Sequence, residues 1–176
     1  MKEITIHFLI GIPASGKSYY AENVLKNKYK NIIHLDSDDI RQELIKKYKI
    51  ENEKENDKYF EKIDEEVDEI FLKKVEELIK KGENFILDNA NYKKSTRDRI
   101  LKHINEVSKK YNIHSKIIGY YFVVPREVIE KRNILRAKRG KRFLISKESM
   151  DYYFKHYDIP TIDEGFDELV EVKINN

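Results

Sequence analysis

Short apolar runs alternate along the chain with longer segments in which apolar residues recur every three or four positions. The runs predict buried strands, because strands that are covered on both faces read as continuous apolar stretches. The periodic segments predict helices between the strands, the longest running through residues 60–79 and closed by Gly82. The apolar run 117–124 predicts one of the strands, and a helix is predicted from about 17 to 26. A final alternating stretch, 169–174, is typical of an edge strand. This order of elements predicts an α/β fold with a parallel sheet and helices on both of its faces.

Polar or turn-forming residues stand where the predicted strands end. These positions are Gly11, Asp36, Asp88 and Pro125. In open parallel sheets ligands bind beyond the carboxyl ends of the strands. The four strand ends therefore predict one functional edge of the sheet.

The first strand is followed by Gly-Ile-Pro-Ala-Ser-Gly-Lys-Ser, residues 11–18, which fits the phosphate-binding pattern G-x-x-x-x-G-K-[ST]. Small residues let consecutive backbone N–H groups wrap a polyphosphate, and the following helix directs its positive end at the phosphates. Lys17 would reach the outer phosphates, and the Ser18 hydroxyl would ligate Mg²⁺. The motif predicts binding of ATP or GTP with Mg²⁺. The residues predicted to contact the nucleotide are Gly11, Pro13, Ala14, Ser15, Gly16, Lys17, Ser18 and Tyr19.

The second strand ends in a segment with three carboxylates and an arginine, residues 36–41. Phosphoryl transfer needs a carboxylate that orients the acceptor hydroxyl and receives its proton, and cations that hold anionic groups. Asp38 and Arg41 are three residues apart, so they project from neighbouring positions once the helix starts. Helix capping accounts for Asp36, Ser37 or Asp38 equally well, because Asp and Ser are preferred at helix N-termini.

The third strand ends in Asp-Asn-Ala-Asn, residues 88–91. An aspartate at this position can hold Mg²⁺ or its waters, as in a Walker B segment, or accept a hydrogen bond from the substrate. We therefore predict Asp88 as a metal ligand together with Ser18, and Asp88 and Asn91 as contacts of the acceptor. A turn role for Asn89 and Asn91 is an equally good interpretation.

Charge is unevenly distributed in a chain whose net charge is only +3. Residues 51–83 contain 13 acidic and 7 basic side chains, whereas residues 126–142 contain 8 basic and 2 acidic ones. The basic segment predicts a local anionic ligand, although a solvated helix face accounts for it equally well. Arg132 and Arg136 share one helix face and Arg139 continues it, an arrangement suited to a lid over a transferring phosphoryl group.

The composition limits the function classes further. The 176 residues correspond to one domain, without a recognisable linker or repeat. A net charge of +3 argues against a function that depends on non-specific binding of nucleic acid or membrane through bulk charge. The absence of cysteine excludes disulfides, thiol catalysis and thiolate metal sites. No signal peptide or membrane-spanning segment is recognisable, so we expect a cytoplasmic protein with no membrane partner.

Together, these motifs resemble those of the polynucleotide 5′-kinase group of P-loop kinases, which includes the phage-type RNA-repair kinase, and of its small predicted-kinase relatives. The matching elements are residues 11–18, Asp38-Asp39-Ile40-Arg41, Asp88-x-x-Asn91, Arg132-Asn133-x-x-Arg136 and the C-terminal segment 160–166. The resemblance implies a P-loop NTPase fold of the kinase type, forming a single domain over residues 1–176 with an arginine-rich lid at about 126–142.

The resemblance also implies roles for the matching residues. Lys17 and Ser18 would act on ATP and Mg²⁺, and Asp38 would be the general base for the acceptor hydroxyl. Arg41 would hold the phosphate side of the acceptor, and arginines of the lid would contact the donor phosphates. The predicted catalytic residues are Lys17, Asp38, Arg41, Arg132, Arg136 and Arg139.

Two features depart from the family pattern. Ala14 stands where the phage-type enzyme has glycine, which would stiffen the loop. The basic stretch after Arg132 is longer before its Arg-Gly, so either Arg136 or Arg139 is expected to be the second arginine of the lid. No fused phosphatase or ligase partner is expected, because the chain ends after one domain.

We expect an ATP-dependent kinase that phosphorylates a hydroxyl group, with the 5′-OH end of a polynucleotide as the leading acceptor. A nucleoside, a sugar nucleotide or an antibiotic hydroxyl is the alternative acceptor. A nucleotide-binding switch that phosphorylates no acceptor is a third hypothesis, from a different class. A polynucleotide enzyme should show a basic groove that leads away from Asp38, because each bound phosphate needs a cation.

Other conspicuous residues are expected to be structural or at the surface. The five histidines, at positions 7, 34, 103, 114 and 156, show no metal-ligand spacing. The aromatic groups 120–122 and 152–154 fall within a predicted strand and a predicted helix, so core packing is favoured over stacking on a base.

Overall fold

A computed structural model describes residues 1–140 and 142–174 of the chain. Its five strands are β1 (Lys2–Ile10), β2 (Ile33–Asp36), β3 (Phe85–Asp88), β4 (Ile113–Val123) and β5 (Glu168–Lys173). They form one sheet in the order β2-β3-β1-β4-β5, and all neighbouring strands are parallel. β2 and β3 lie on one side of β1, and β4 and β5 lie on the other. This change of direction opens a crevice at the carboxyl end of β1, where ligands bind in such sheets.

Helices connect the strands. The first, α1, begins with Lys17–Tyr20, continues through a π-helical turn Ala21–Leu25 and ends with Lys26–Lys28. The others are α2 (Ser37–Lys47), α3 (Glu53–Lys81), α4 (Lys94–Tyr111), α5 (Arg126–Lys138) and α6 (Lys147–Lys155), with a 3₁₀ turn at Ile162–Glu164. The long helix α3 is limited at both ends by local signals. Its N-cap Asn52 accepts a hydrogen bond from the Glu55 amide at 2.9 Å, and Gly82 ends it with a φ of 68°.

The side chains of β1 alternate between two apolar cores. Ile4, Ile6, Phe8 and Ile10 belong to the larger core, which also contains apolar residues of α2, α3 and α4. Leu9 points the other way and packs with Ala21 and Leu25 of α1. Because both faces of the sheet are covered, its strands read as continuous apolar runs. The predicted α/β fold with a parallel sheet and helices on both faces is confirmed.

Two predicted boundaries were wrong. β4 begins at Ile113, four residues before the predicted start at Ile117, because the backbone of residues 113–116 pairs with residues 2–5 of β1. Backbone pairing does not require apolar side chains, and the exposed His114 interrupts any apolar run in this part of the sequence. The helix predicted over about 17–26 extends to Lys28 and contains the π-helical turn. No helix among the described residues has the length and apolar character needed to cross a bilayer.

Candidate active site

The glycine-rich loop between β1 and α1 forms the floor of a large cavity at the carboxyl edge of the sheet. Gly16 precedes α1 with a φ of 102°, and Ala14 has a φ of 67°. A non-glycine residue in this left-handed region costs roughly 1 kcal/mol or more, so the loop is held in a strained conformation at Ala14. Gly11 allows close packing, because a Cβ there would lie 2.8 Å from the Ser15 hydroxyl oxygen.

Lys17 is buried inside this loop. Its Nζ donates hydrogen bonds to the carbonyl oxygens of Gly11 at 3.0 Å and Ile12 at 3.2 Å. Burial lowers the pKa of Lys17, and the nearby carboxylates of Asp88 and Asp38 oppose that shift. The structure therefore places the lysine ammonium at the meeting point of the loop and the second and third strand ends.

A compact cluster of oxygen and nitrogen ligands lies next to the loop. The Ser18 hydroxyl donates to Asp88 Oδ2 at 2.8 Å and lies 3.4 Å from Asp36 Oδ2. These carboxylates come together because Asp36 and Asp88 are direct partners in the β2–β3 ladder. Ligand atoms of His34, Asp36 and Asp88 all lie within 4.8 Å of one another. A hydroxyl and two carboxylates are a suitable donor set for Mg²⁺.

The carboxylates of this cluster are crowded. Burial raises the pKa of Asp36 to about 7, with further contributions from Asp88 and Asp38. A divalent cation would relieve this repulsion, so the crowding fits a metal site. The residues predicted as metal ligands, Ser18 and Asp88, are therefore brought together, and Asp36 joins them.

His34 was missed by the sequence analysis. Its Nε2 lies 3.0 Å from Asp88 Oδ2, and its Nδ1 lies 2.7 Å from Glu22 Oε1. Burial lowers the pKa of His34, but the hydrogen bonds to Asp88 and Glu22 outweigh it, so that the pKa is raised overall. Both ring nitrogens are engaged with carboxylates, and the imidazole thus fixes the orientation of Asp88. No spacing in the sequence indicates this contact, because it depends on the pairing of β2 with β3.

Asp38 lines the same cavity as Lys17. The N-cap of α2 is Asp36, whose Oδ1 accepts a hydrogen bond from the Asp38 amide at 2.8 Å. Asp36 thus provides the cap, and the Asp38 side chain is available for another role. Its Oδ2 lies 3.3 Å from Nε of Arg142, and Arg142 Nη2 lies 3.7 Å from Asp39 Oδ1.

Arg41 also lines the cavity, but its guanidinium is already paired. Nη2 donates to Asp64 Oδ1 on α3, and the guanidinium carbon lies 5.2 Å from the centre of the Phe60 ring. The atom Nη1 is buried without a hydrogen-bond partner among the described residues. Arg41 therefore keeps one donor for a ligand while its charge is compensated by Asp64.

The asparagines after β3 make contacts within the protein. Asn91 is buried, and its Nδ2 donates to the Leu9 carbonyl at 2.9 Å. Asn89 Oδ1 accepts hydrogen bonds from the Ser37 hydroxyl at 3.0 Å and the Ala90 amide at 2.9 Å. These contacts hold the strand ends together, as the turn interpretation of both residues predicts. Asn91 lines the cavity nonetheless, and its contact with an acceptor stays a prediction.

The basic segment contacts the glycine-rich loop, and its role as a lid stays a prediction. Arg132 donates from Nη1 to the Ser15 carbonyl at 3.0 Å. Burial lowers the pKa of Arg136, and the Asp38 carboxylate opposes that shift. Arg139 lines the cavity as well. Arg136 thus interacts electrostatically with Asp38, and which of the two arginines is the second one of the lid stays a prediction.

A hydrogen-bonded asparagine fixes the end of the basic segment. Asn133 is buried, its Nδ2 donates to the Ile145 carbonyl at 2.9 Å, and its Oδ1 accepts from the Ile145 amide at 3.1 Å. This pair of bonds holds residues 142–146 beside α5, where Arg142 reaches Asp38. Lys141, inside the predicted lid range, lies outside the described residues. Asn133 stands in a matched motif, but only its contacts show that it positions residues 142–146.

Comparisons with known proteins agree with this architecture. Residues 6–160 match the model of the AAA_33 family, described as an AAA domain. Among curated proteins, the search found no match. A "putative kinase" from Chloroflexus aurantiacus has a TM-score of 0.77 at 15% identity, over 98% of this chain and 86% of that chain.

Two other solved structures are similar. A fungal RNA kinase gives a TM-score of 0.59 at 15% identity, over 99% of this chain and 77% of that one. A structure from the PezAT toxin–antitoxin system of Streptococcus pneumoniae has a TM-score of 0.66 at 13% identity. The match covers 98% of this chain and 68% of that chain. At such low identities these likenesses establish the fold, which is that of a P-loop kinase-like domain.

Proposed function

We propose that this chain, which belongs to the AAA_33 family of AAA domains, is an ATP-dependent phosphotransferase. Its acceptor would be a hydroxyl group. The observation that carries the proposal is the position of Asp38, which shares one cavity with Lys17 and the glycine-rich loop. A carboxylate at this place can hold an alcohol against the end of a bound triphosphate. Four arginines of the lid segment line the same cavity: Arg132, Arg136, Arg139 and Arg142.

The donor side would be formed by the loop and the cluster beside it. Residues 11–19 would hold the phosphates of ATP, and Ser18, Asp36 and Asp88 would hold Mg²⁺, directly or through its waters. Bound in this way, Mg²⁺ would neutralise charge on the phosphates. Lys17, as the buried cation of the loop, would stabilise charge on the oxygens of the transferred group.

The acceptor side would be organised by Asp38. Its carboxylate would accept a hydrogen bond from the acceptor hydroxyl and take the proton as the new oxygen–phosphorus bond forms. The bond between the terminal phosphorus and its bridging oxygen breaks, and ADP leaves. Arg136, close to Asp38, would stabilise the negative charge that moves between the two oxygens.

Two classes of acceptor are compared in the experiment. The resemblance favours the 5′-OH end of a polynucleotide, and Arg41, which would then face the acceptor's phosphate, lines the cavity. A small-molecule hydroxyl is favoured by the pairing of this same arginine with Asp64. A set of acceptors separates these classes: 5′-OH RNA, 5′-OH DNA, nucleosides and simple sugars, each incubated with radiolabelled ATP and Mg²⁺.

The Asp38→Asn variant tests the assignment of the general base. We expect transfer to fall by about 100-fold or more, because a positioned base contributes that much, while ATP binding is retained. The matched control is Asp39→Asn, which removes the same charge one position along on a more exposed side chain. Wild-type transfer by Asp38→Asn would refute the role, and ATP binding without transfer to any acceptor would favour the nucleotide-binding switch.

A further inference from the structure

The cavity extends well beyond the glycine-rich loop. Its volume is about 1630 Å³, and past Asp38 it is bounded on one side by α3 and on the other by the segment after β3 and by α6. Four acidic residues of α3 line it at a spacing of four, three and four residues, which places them on one stripe of the helix. We call this stripe the acidic wall: Asp57, Glu61, Asp64 and Asp68.

The arginines on this side of the cavity are neutralised by the acidic wall. Arg41 pairs with Asp64. Arg99 of α4 pairs with Asp68 through two hydrogen bonds of 2.5 and 2.7 Å. A guanidinium binds a carboxylate through two parallel bonds of this kind, and it binds a phosphate with the same two donors. The pair with Asp68 therefore occupies the donors that a phosphate would need.

The remaining members of the wall carry uncompensated charge. Asp57 and Glu61 have no ion-pair partner within residues 1–140 and 142–174. A strand of nucleic acid leaving Asp38 along α3 would bring its phosphates next to these carboxylates, and like charges at short range repel. Two lysines, Lys58 and Lys93, line this side as well, so the basic side chains here number four with Arg41 and Arg99 in the described part of the chain, against five carboxylates: the acidic wall and Glu148. This side of the cavity therefore has no excess of positive charge, unlike the basic groove required of a polynucleotide enzyme.

Groups suited to an uncharged ligand line the same side of the cavity as the acidic wall. The rings of Tyr92 and Tyr153 line the cavity and contact each other edge to face, with centroids 5.1 Å apart. Phe60 lines it too, beneath the guanidinium of Arg41. Arg41 Nη1 is an unused donor, and Thr96 offers a hydroxyl. Ring faces with a few hydrogen-bonding groups are typical of pockets for small molecules.

We infer that the acceptor is a small polyhydroxylated molecule without phosphate groups, bound between the acidic wall and the tyrosines. The inference rests on the proposed function, because it names the acceptor of the same reaction. The change of charge at Asp38 carries it: arginines of the basic segment line the donor side, whereas on the acceptor side five carboxylates face four basic side chains, two of them paired arginines, and disfavour further phosphates.

A binding measurement that needs no catalysis tests this exclusion. The probe is a 5′-OH RNA 12-mer with a fluorophore at its 3′ end, titrated with the wild-type protein and with Asp64→Asn/Asp68→Asn. The double variant frees Arg41 and Arg99 for phosphates. We expect it to bind the RNA at least about tenfold more tightly than wild type, with a salt slope steeper by about 1.4, the value for two more contacts to a single strand.

The matched control removes the same charge elsewhere on α3. Glu65→Gln/Glu69→Gln neutralises two exposed carboxylates of the same helix that do not line the cavity, and it should bind the RNA like wild type. Thermal unfolding of all three proteins checks that the variants fold. Equal RNA binding by wild type and Asp64→Asn/Asp68→Asn would overturn the inference, as would a wild-type kcat/KM for the RNA above that for every sugar tested. Loss of transfer to all acceptors would refute the proposed function, whereas the binding comparison would still decide the charge of the acceptor side.

Discussion

The ion pair between Arg97 and Glu164 offers a quantitative test of how the active-site edge is held together. Both side chains are at most 2% exposed, and the guanidinium donates to the carboxylate from Nε at 2.7 Å and from Nη2 at 2.9 Å. Nη1 donates to the backbone carbonyls of Asn91 at 3.0 Å and Tyr92 at 3.2 Å. One arginine thus joins α4, the cavity-lining segment after β3 and the C-terminal 3₁₀ turn.

The expected cost of breaking this pair follows from its burial. Glu164→Ala leaves a guanidinium in the interior without its carboxylate, and removal of one partner of a buried pair costs about 3–5 kcal/mol. The substitution also removes the hydrogen bond from the Thr161 amide to Glu164 Oε1 at 3.1 Å, which adds about 1 kcal/mol. A domain is stable by only about 5–15 kcal/mol, so the variant should be near the limit of folding at 25 °C.

Urea unfolding followed by circular dichroism measures this loss. The exposed neighbour Asp163→Ala is the control and should change the free energy of unfolding by less than about 0.5 kcal/mol. Arg97→Met/Glu164→Leu should be more stable than the sum of the single variants predicts, because no charge is left buried without a partner. The reasoning fails if Glu164→Ala costs less than about 1 kcal/mol, or no more than Asp163→Ala.

Two further predictions follow from buried polar contacts. His7 is buried against the Tyr120 hydroxyl at 2.9 Å, and burial, with a smaller effect of Lys28, lowers its pKa to about 4. The unfolded chain takes up a proton near pH 6.5 and the native protein does not, so the contribution of His7 to stability should fall by about 3 kcal/mol from pH 7 to pH 4. Urea unfolding of wild type and His7→Gln across this range isolates that contribution, because the other titrating groups are common to both proteins, and an identical pH dependence of the two would contradict the assignment. Asn133→Ala removes both bonds to Ile145, so amide hydrogen exchange at Ile145 should accelerate by about tenfold or more; unchanged exchange would show that residues 142–146 are held by other contacts.

Most of the fold and the donor side of the site were predictable because their signals are local in the chain. A strand covered on both faces needs an apolar run, and Gly82 ends a helix through its own backbone conformation. The glycine-rich loop combines its glycines, lysine and serine in eight consecutive residues. Asp36 and Asp88 stand at the ends of predicted strands, and parallel pairing brings such ends to one edge.

The errors and omissions share one cause, which is dependence on contacts between distant segments. The start of β4 was misplaced because its first residues pair through backbone with β1 and carry no apolar pattern. The contact of His34 with Asp88 depends on the alignment of two strands. Arg142 lies in the basic segment that the sequence indicates, yet its contact with Asp38 depends on how Asn133 holds residues 142–146 beside α5.

The amino-acid order alone thus specified a parallel α/β sheet, a phosphate-binding loop and carboxylates at its edge, since each of these is encoded by neighbouring residues. The charge of the cavity beyond Asp38 was instead decided by tertiary contacts. Arg41 and Asp64 are 23 positions apart, and Arg99 and Asp68 are 31 apart. Sequence reasoning could assign Arg41 to a phosphate, but whether its charge is free depends on which carboxylates the packing of α3 against α2 and α4 brings beside it.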